Sequence, residues 1–331
     1  RGLGDVYKRQ HMPGFATHYL FGLNTYHSLE YMNLKKVLRE HHAAYSLGLQ
    51  GPDVFFYFLP CYLVHSDNIG SIAHEKCTGT FLHYLLESRK LFPDYEERQI
   101  AEAYIAGFLG HYLLDTHCHP YIYWKSRFEE KNARYHGAHM RLESDIDAEL
   151  LLFYKHKLPS EFHPESTIAM TFSQRRTIAA ILHYTYAKTY PELGIHYTTM
   201  HCAIRSMQLG VRALRDSSGR KKVLIRKLES MILGYPLLSS MIPSDHLRFS
   251  FDPLNVLHRE WHNPWDKSLT SRDSLFDLME DAQERYVSAL VQLDEIFSDG
   301  VHPEKESEKT DRLLRGLGNK SYHSGLDGVL S

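Results

Sequence analysis

The sequence predicts an all-α protein, and three observations support that fold class. Apolar residues recur at helical spacing among good helix formers, most clearly in YEERQIAEAYIAGFLGHYLLDTHC at residues 95–118. No stretch alternates apolar and polar residues beside hairpin-type turn residues, so no β-strand is predicted. Hydrophobic residues make up 43% of the chain and charged residues 24%, the balance of a globular protein with a sizeable core. We therefore expect a bundle of many helices.

Further helices are predicted at residues 71–90, 136–157, 173–190 and 271–297. Each of these segments places its apolar residues three and four positions apart, which builds one buried face per helix. We also expect the helix at 95–118 to end at Pro120, because proline cannot continue a helix.

The chain divides by composition into four parts. Residues 12–215 are predicted to form the main helical domain, and residues 216–298 a helical extension of it that begins at the loop DSSGRKK. Residues 299–331 are polar and glycine-rich, so we expect a loose tail. Residues 1–11 contain DVYKRQ, which resembles the translation of a transposon adapter used in sequencing libraries. We treat them as an artefactual leader before a natural start at Met12; the alternative is a genuine short leader.

Charge, hydropathy and cysteine content exclude several classes of protein. The formal net charge is −2, so no basic field would recruit nucleic acid or an anionic membrane. The longest apolar runs, such as DVFFYFLPCYLV, are too short to span a bilayer. Four scattered cysteines without a C-x-x-C pair, and the absence of an apolar signal segment, predict a cytoplasmic protein with free thiols.

Histidine is the unusual residue, at 23 of 331 positions, and GHYLLDTHCHP at 110–120 concentrates it. His111 and Asp115 are four residues apart on a predicted helix, so both side chains project from one face. His111 and Asp115 can therefore bind one ion while His119 turns toward another, and imidazole and carboxylate together suit zinc or another divalent first-row metal. The alternative is a core histidine hydrogen-bonded to a carboxylate.

A second pair with the same spacing strengthens the metal hypothesis. His139 and Glu143 are four apart in HMRLE, and Asp147 follows one turn later, where it could orient a ligand. The neighbouring Leu142 and Ile146 place Glu143 near the buried side of its helix, and a buried carboxylate needs a cation. The alternative is a solvated acidic face, since ESDIDAE is a run of charge.

Two more segments supply candidate site residues. His74 lies near the start of the predicted helix 71–90, and Asp53 lies in a Gly-Pro turn before a hydrophobic stretch, a position suited to a catalytic side chain. The alternatives are a core histidine and a turn or helix cap. Three nearby histidines lack a partner at ligand spacing and are interpreted as structural or supporting residues: His83, His117 and His136.

The order of these motifs resembles the bacterial zinc-dependent phospholipase C family, whose relatives include fungal single-strand-specific nucleases. The resemblance covers about residues 12–155 and rests on MPGFATHYLFG, GPDVFF, SIAHEK, GHYLLD…HP and HMRLE. It implies an all-α phospholipase C/nuclease-like bundle with two or three zinc ions in a cleft between helices. The implied ligand sets are His74, His111 and Asp115 for one ion, His119, His139 and Glu143 for a second, and His18 with a shared Asp115 for a third.

The resemblance also implies a function. Asp53 would act as general base or orient the attacking water, and the reaction would be hydrolysis of a phospholipid headgroup or another small phosphodiester. The family's third ion also takes the N-terminal amine, which Pro13 would supply after removal of Met12. The alternative is a non-catalytic metal-binding scaffold of the same fold. An HD-type phosphohydrolase is disfavoured because the chain contains no His-Asp dipeptide.

Overall fold

The computed structural model describes residues 14–58, 60–61, 68–130, 135–216, 218–232, 239, 242–245, 250–298 and 302–328. The predicted all-α fold class is confirmed, since helices account for most of these residues. In chain order the helices are α1 (Phe15–Ser28), α2 (Asn33–Glu40), α3 (His42–Gly48), α4 (Ile69–Glu75), α5 (Thr78–Glu87), α6 (Tyr95–Lys125), α7 (Tyr135–Lys155), α8 (Pro164–Thr167), α9 (Phe172–Thr189), α10 (Tyr197–Leu214), α11 (Arg220–Ile232), α12 (Leu275–Phe297) and α13 (Pro303–Leu317). Short 3-10 turns lie between several of them, including one at Gly51–Tyr57.

Helix α6 is the centre of the molecule. Its residues from Ile100 to Tyr123 are buried on nearly all sides, as expected of a helix that is apolar all round. The Asp94 side chain caps its first turn by accepting a hydrogen bond from the Glu97 backbone N–H. Helices α3 and α12 pack along α6, so the residues that α6 presents inward are shielded from solvent.

Small residues bring α3 and α6 into close contact. A Cβ added to Gly107 would lie 2.2 Å from the Tyr45 carbonyl oxygen, and one added to Gly48 would lie 2.2 Å from the Tyr104 carbonyl oxygen. The absence of both side chains therefore lets the backbones of α3 and α6 touch one turn before His111. The segment from Gly48 to Asp53 starts at this contact.

The predicted end of α6 at Pro120 is wrong. The helix continues through Pro120 to Lys125. Proline removes one backbone N–H, which leaves the Thr116 carbonyl without its usual helical donor. Burial of the following turn, including Tyr121 and Tyr123, stabilises the helix beyond the proline.

The predicted loose tail is also wrong where the structure describes it. Residues 303–317 form α13, and Tyr322 beyond it is fully buried against α6. The Tyr112 hydroxyl donates to the Leu317 carbonyl at 2.9 Å and accepts from the Lys320 backbone N–H at 3.2 Å. Two buried leucines of α13 and the Tyr322 ring outweigh the polar composition of this segment.

A small hairpin is an element that the sequence did not predict. Strands β1 (Trp261–Asn263) and β2 (Asp266–Ser271) pair antiparallel, with Trp261 opposite Ser271. β1 has only three residues, and all six residues of β2 are at least partly exposed. Neither strand therefore shows a recognisable alternation of apolar and polar residues in the sequence. Its Asn263 side chain donates to the Ser324 carbonyl at 2.8 Å and so fastens the C-terminal segment. The predicted leader 1–11, Met12, Pro13 and the His136 side chain lie outside the described residues.

Candidate metal centre

The structure brings all eight predicted site residues into one buried cluster. His18 comes from α1, Asp53 from the 3-10 turn after α3, and His74 from α4. Helix α6 supplies three residues and α7 supplies two. Each of the eight side chains is at most 6% exposed, and they are His18, Asp53, His74, His111, Asp115, His119, His139 and Glu143.

The first group of candidate ligands is His74, His111 and Asp115. Nε2 of His111 lies 3.1 Å from Oδ2 of Asp115, and Nε2 of His74 lies 3.7 Å from the same oxygen. In a tetrahedral zinc shell with bonds of about 2.0 Å, ligand atoms are about 3.3 Å apart. The three atoms therefore have the spacing of ligands around one ion. Oδ1 of Asp53 lies 3.2 Å from Nε2 of His74, beside the same point.

The second group is His119, His139 and Glu143, which is the set that the family resemblance implies. Nε2 of His139 lies 3.1 Å from Oε1 of Glu143, and Nε2 of His119 lies 3.7 Å from that oxygen. Nε2 of His119 is also 3.6 Å from Oδ1 of Asp115. The two groups are therefore contiguous, and His119 is the residue that joins them.

His18 completes the cluster from α1. Its Nε2 lies 3.3 Å from Oδ1 of Asp115, and its ring stacks on His111 with centroids 4.4 Å apart. It also forms a possible ligand group with Asp53 and His111. Asp147 holds this part of α1 in place, because its carboxylate accepts hydrogen bonds from the backbone N–H groups of Ala16 and Thr17 and from the Thr17 hydroxyl. Asp147 thus supports the cluster through the helix that carries His18.

Backbone carbonyls fix the orientation of three imidazoles. Nδ1 of His74 donates to Gly70 at 2.8 Å, Nδ1 of His111 to Leu49 at 3.2 Å, and Nδ1 of His119 to Tyr322 at 3.0 Å. A proton held at Nδ1 leaves the lone pair on Nε2, which is the atom that faces the carboxylates in each case. This arrangement is the usual support for histidine ligands of a metal.

Burial and neighbouring charge set the ionisation of the cluster. Burial, followed by the charge of His111, lowers the pKa of His18 well below its ordinary value, and burial also lowers the pKa of His74. Burial opposes ionisation of Asp115, but electrostatic interaction with His111 and His119 outweighs burial and lowers the pKa of that carboxyl. The lowered pKa values favour neutral imidazoles at His18 and His74 and an ionised carboxylate at Asp115, which are the protonation states that bind metal.

Several buried polar atoms in the cluster have no hydrogen-bond partner among the described residues. They are Nε2 of His111, Oδ2 of Asp115, Oε2 of Glu143 and both carboxylate oxygens of Asp53. Leaving such atoms unsatisfied in a protein interior is costly. Coordination to cations would satisfy all of them, so the donor set fits zinc or a similar divalent ion.

The C-terminal segment contributes two residues that the sequence analysis missed. Besides the Tyr322 carbonyl on His119, the Tyr322 ring packs against His74 with centroids 4.9 Å apart. The buried His323 ring stacks on His74 at 5.6 Å and lies 6.2 Å from His119. The only available signal was the histidine and tyrosine of SYHSG within a segment that the composition described as loose.

Two cavities adjoin the cluster. A cavity of about 20 Å³ lies among His18, Asp115, His119 and Glu143, enough for about one water. Glu143 and Gly14 also line a second cavity of about 80 Å³. The wall of this second cavity is largely apolar and includes Phe15, Leu151, Phe162, Val211, Leu214, Arg215, Asp216 and Pro243.

Comparisons of the chain with protein-family models, with curated proteins and with solved structures found no match. The geometry of the cluster is therefore the basis for assigning a function. Among the described helices, none is long and apolar enough to cross a membrane.

Proposed function

We propose that this protein is a zinc-dependent phosphoesterase that hydrolyses a phospholipid headgroup or another small phosphodiester. The observation that supports it is the contiguity of the two ligand groups through His119, which lies within 3.7 Å of both Asp115 and Glu143. Adjacent divalent ions suit phosphoester hydrolysis because bound ions polarise the phosphoryl group, lower the pKa of water and stabilise the leaving oxygen. His74, His111 and Asp115 would hold one ion and His119, His139 and Glu143 another.

The protein's own groups would perform the remaining tasks. Asp53 lies 3.2 Å from Nε2 of His74, and both its oxygens lack hydrogen-bond partners among the residues described here. We assign it the orientation of the attacking water and the acceptance of its proton. His18 would complete a third site with Asp115, from which its Nε2 is 3.3 Å distant.

The second candidate function is a non-catalytic metal-binding scaffold. One observation favours it: the cavity within the cluster measures only about 20 Å³, and closed coordination is typical of structural zinc sites. The larger cavity beside Glu143 favours the enzyme, because it offers a substrate a place next to a candidate ligand.

Metal analysis followed by a panel of phosphodiester substrates tests the proposal. The matched pair of variants is His111→Ala, which removes a buried candidate ligand, and His83→Ala, which changes an exposed histidine of α5. The phosphoesterase proposal expects zinc-dependent turnover that only His111→Ala abolishes. Zinc binding without turnover on any phosphodiester or phospholipid would instead support the scaffold.

A further inference from the structure

Helix α11 has its polar and apolar faces reversed. Val223, Leu224, Leu228 and Met231 are exposed, with Leu224 at 60% and Met231 at 75%. The buried positions of the same helix hold Lys222 and Glu229 instead. A helix that packs on a core normally buries its apolar stripe and exposes its charges. The outward apolar residues are therefore not a by-product of core packing.

The inward polar residues are structurally engaged. The Asp216 carboxylate accepts a hydrogen bond from the Lys222 backbone N–H at 2.8 Å. The Glu229 carboxylate accepts from the backbone N–H and the hydroxyl of Ser239, the latter at 2.6 Å. These local contacts join the start of α11 to the preceding loop and its end to Ser239, while the leucines of the helix face solvent.

The exposed face combines apolar residues with positive charge. Leu224, Leu228 and Met231 follow each other at intervals of four and three residues, so they form one stripe along the helix. Lys227 and Arg220 lie on the same exposed side. The helix contains five lysines or arginines, of which only Lys222 is buried, and its single glutamate is buried as well. This local charge contrasts with the net charge of −2 for the whole chain, from which no anionic-membrane binding was expected.

We propose that α11 binds the surface of an anionic lipid bilayer, with its leucines and methionine at the headgroup–acyl boundary and its basic residues among the headgroups. An apolar stripe flanked by lysine and arginine is the chemistry of helices that lie in a membrane interface. The positive charge complements the negative charge of anionic lipid. A contiguous row of exposed apolar side chains is also typical of an interaction surface rather than of a helix that faces only water.

The position of α11 connects this surface with the metal centre. Asp216, which caps the helix, also lines the cavity beside Glu143, together with Leu214 and Arg215. The membrane-binding surface therefore begins within a few residues of the cavity wall. If the protein is the proposed phosphoesterase, membrane binding by α11 indicates that its substrate is a phospholipid in a membrane. Only this choice of substrate rests on the proposed function.

Sedimentation of the full-length, zinc-loaded protein with lipid vesicles tests the proposal. We expect binding to vesicles of phosphatidylcholine with about one-third phosphatidylglycerol, and binding at least about 10-fold weaker to pure phosphatidylcholine. Raising the salt concentration from about 0.1 M to about 1 M should weaken binding, because screening reduces the attraction of the basic residues.

Two double variants separate the stripe from general surface hydrophobicity. Leu224→Ser with Leu228→Ser changes leucines that are 60% and 49% exposed, whereas Leu209→Ser with Leu269→Ser changes leucines that are 60% and 47% exposed elsewhere. The first pair should lose at least about 10-fold in vesicle affinity, and the second should bind as the wild type does. Lys227→Glu should weaken binding, whereas Lys305→Glu in α13 should not.

Controls make the outcome independent of folding and of catalysis. Zinc content and turnover of a soluble phosphodiester should be the same in the wild type and in the Leu224/Leu228 variant. Equal vesicle binding by that variant and the wild type would overturn the proposal. A wild-type dimer that the same variant dissociates would also overturn it, by assigning the face to a second copy. Vesicle binding without turnover of any substrate would contradict the phosphoesterase and leave the surface assignment standing.

Discussion

The backbone carbonyl of Tyr322 accepts a hydrogen bond from Nδ1 of His119 across 3.0 Å. The two residues are 203 positions apart, so the C-terminal segment orients a candidate metal ligand of the central helix. The segment is held there by the Tyr322 N–H, which donates to the His74 carbonyl at 3.0 Å. It thus contacts one histidine from each of the two ligand groups.

Gly325→Ala tests the importance of this contact. Gly325 has φ +65°, and an added Cβ would lie 2.3 Å from the Thr116 carbonyl oxygen, so the variant must displace the C-terminal turn. We expect the affinity for the ion at His119, His139 and Glu143 to fall by roughly 10- to 100-fold, measured by competition with a chelator. Gly316→Ala, where an added Cβ meets nothing within 4 Å, is the matched control. Equal zinc affinity in the two variants would show that the contact is dispensable.

Removal of a ligand from the first group should cost metal and stability together. The wild type should contain at least two zinc ions per chain, and His111→Ala should contain fewer and unfold at a lower temperature, because metal binding stabilises the folded state. His83→Ala should match the wild type in both measurements. Elemental analysis that finds less than one metal per chain after zinc supplementation contradicts the metal centre.

Asp53 is expected to assist the water rather than to hold metal. Asp53→Asn should keep its zinc and lose roughly 10²-fold or more in turnover, because the amide cannot accept the proton. Zinc content and turnover are measured on the same preparation. Loss of zinc would reassign Asp53 as a metal ligand. Its contact with Nε2 of His74 is also compatible with that role. Unchanged turnover would remove Asp53 from the reaction.

The ionisation of Asp147 should make stability depend on pH. Burial raises its pKa from an ordinary 3.8 to about 6, although hydrogen bonds from Thr17 and Ala16 oppose the rise. Its contribution to stability is therefore complete below about pH 4 and is lost as the pH rises through 6, with a slope of at most about 1.4 kcal/mol per pH unit. Asp147→Asn should remove this slope, as measured by denaturant unfolding of the metal-free protein. The exposed Asp311→Asn should retain it, and parallel slopes in both variants would refute the assignment.

The pairs of candidate ligands on α6 and α7 were predicted because they follow helical spacing, whereas His18 was assigned only by the family resemblance. His111 with Asp115, and His139 with Glu143, are four residues apart, so each pair shares a face wherever its helix lies. The spacing could not show that α6 and α7 would bring the two pairs together, since that depends on tertiary packing. The close approach permitted by Gly107 was predictable from the absence of a side chain.

The C-terminal half was predicted less well, for a physical reason. Residues 303–317 are highly charged, and a composition-based interpretation counts that charge against a packed structure. The structure buries only a few apolar side chains there, among them Leu313, Leu317 and Tyr322. Leu313 and Leu317 are four residues apart on α13, which packs on α12 and α5, and Tyr322 packs on Tyr112 of α6. The sequence likewise could not predict that the apolar face of α11 is exposed, because periodicity defines an apolar face but does not tell whether that face is buried.

The residue before Gly14 is a candidate ligand for a third ion. Gly14 lines the same small cavity as His18, Asp115 and Glu143, so the chain enters α1 directly beside the cluster. Pro13 is five positions before His18. In a chain that begins at Pro13 its amine would be free to bind an ion with His18 and Asp115, whereas in the longer chain the same nitrogen is an amide and is not a usable ligand. The alternative role of Pro13 is only to open the helix.

Comparison of the two forms decides between these roles. A chain that starts at Pro13 should bind one more zinc ion than the chain that carries residues 1–12, and should turn over a phosphodiester faster. His18→Ala in the shorter chain should return its zinc content to that of the longer one, because it removes the second ligand of the same ion. Equal zinc contents and equal activities in the long and short forms would leave Pro13 with the helix-opening role alone.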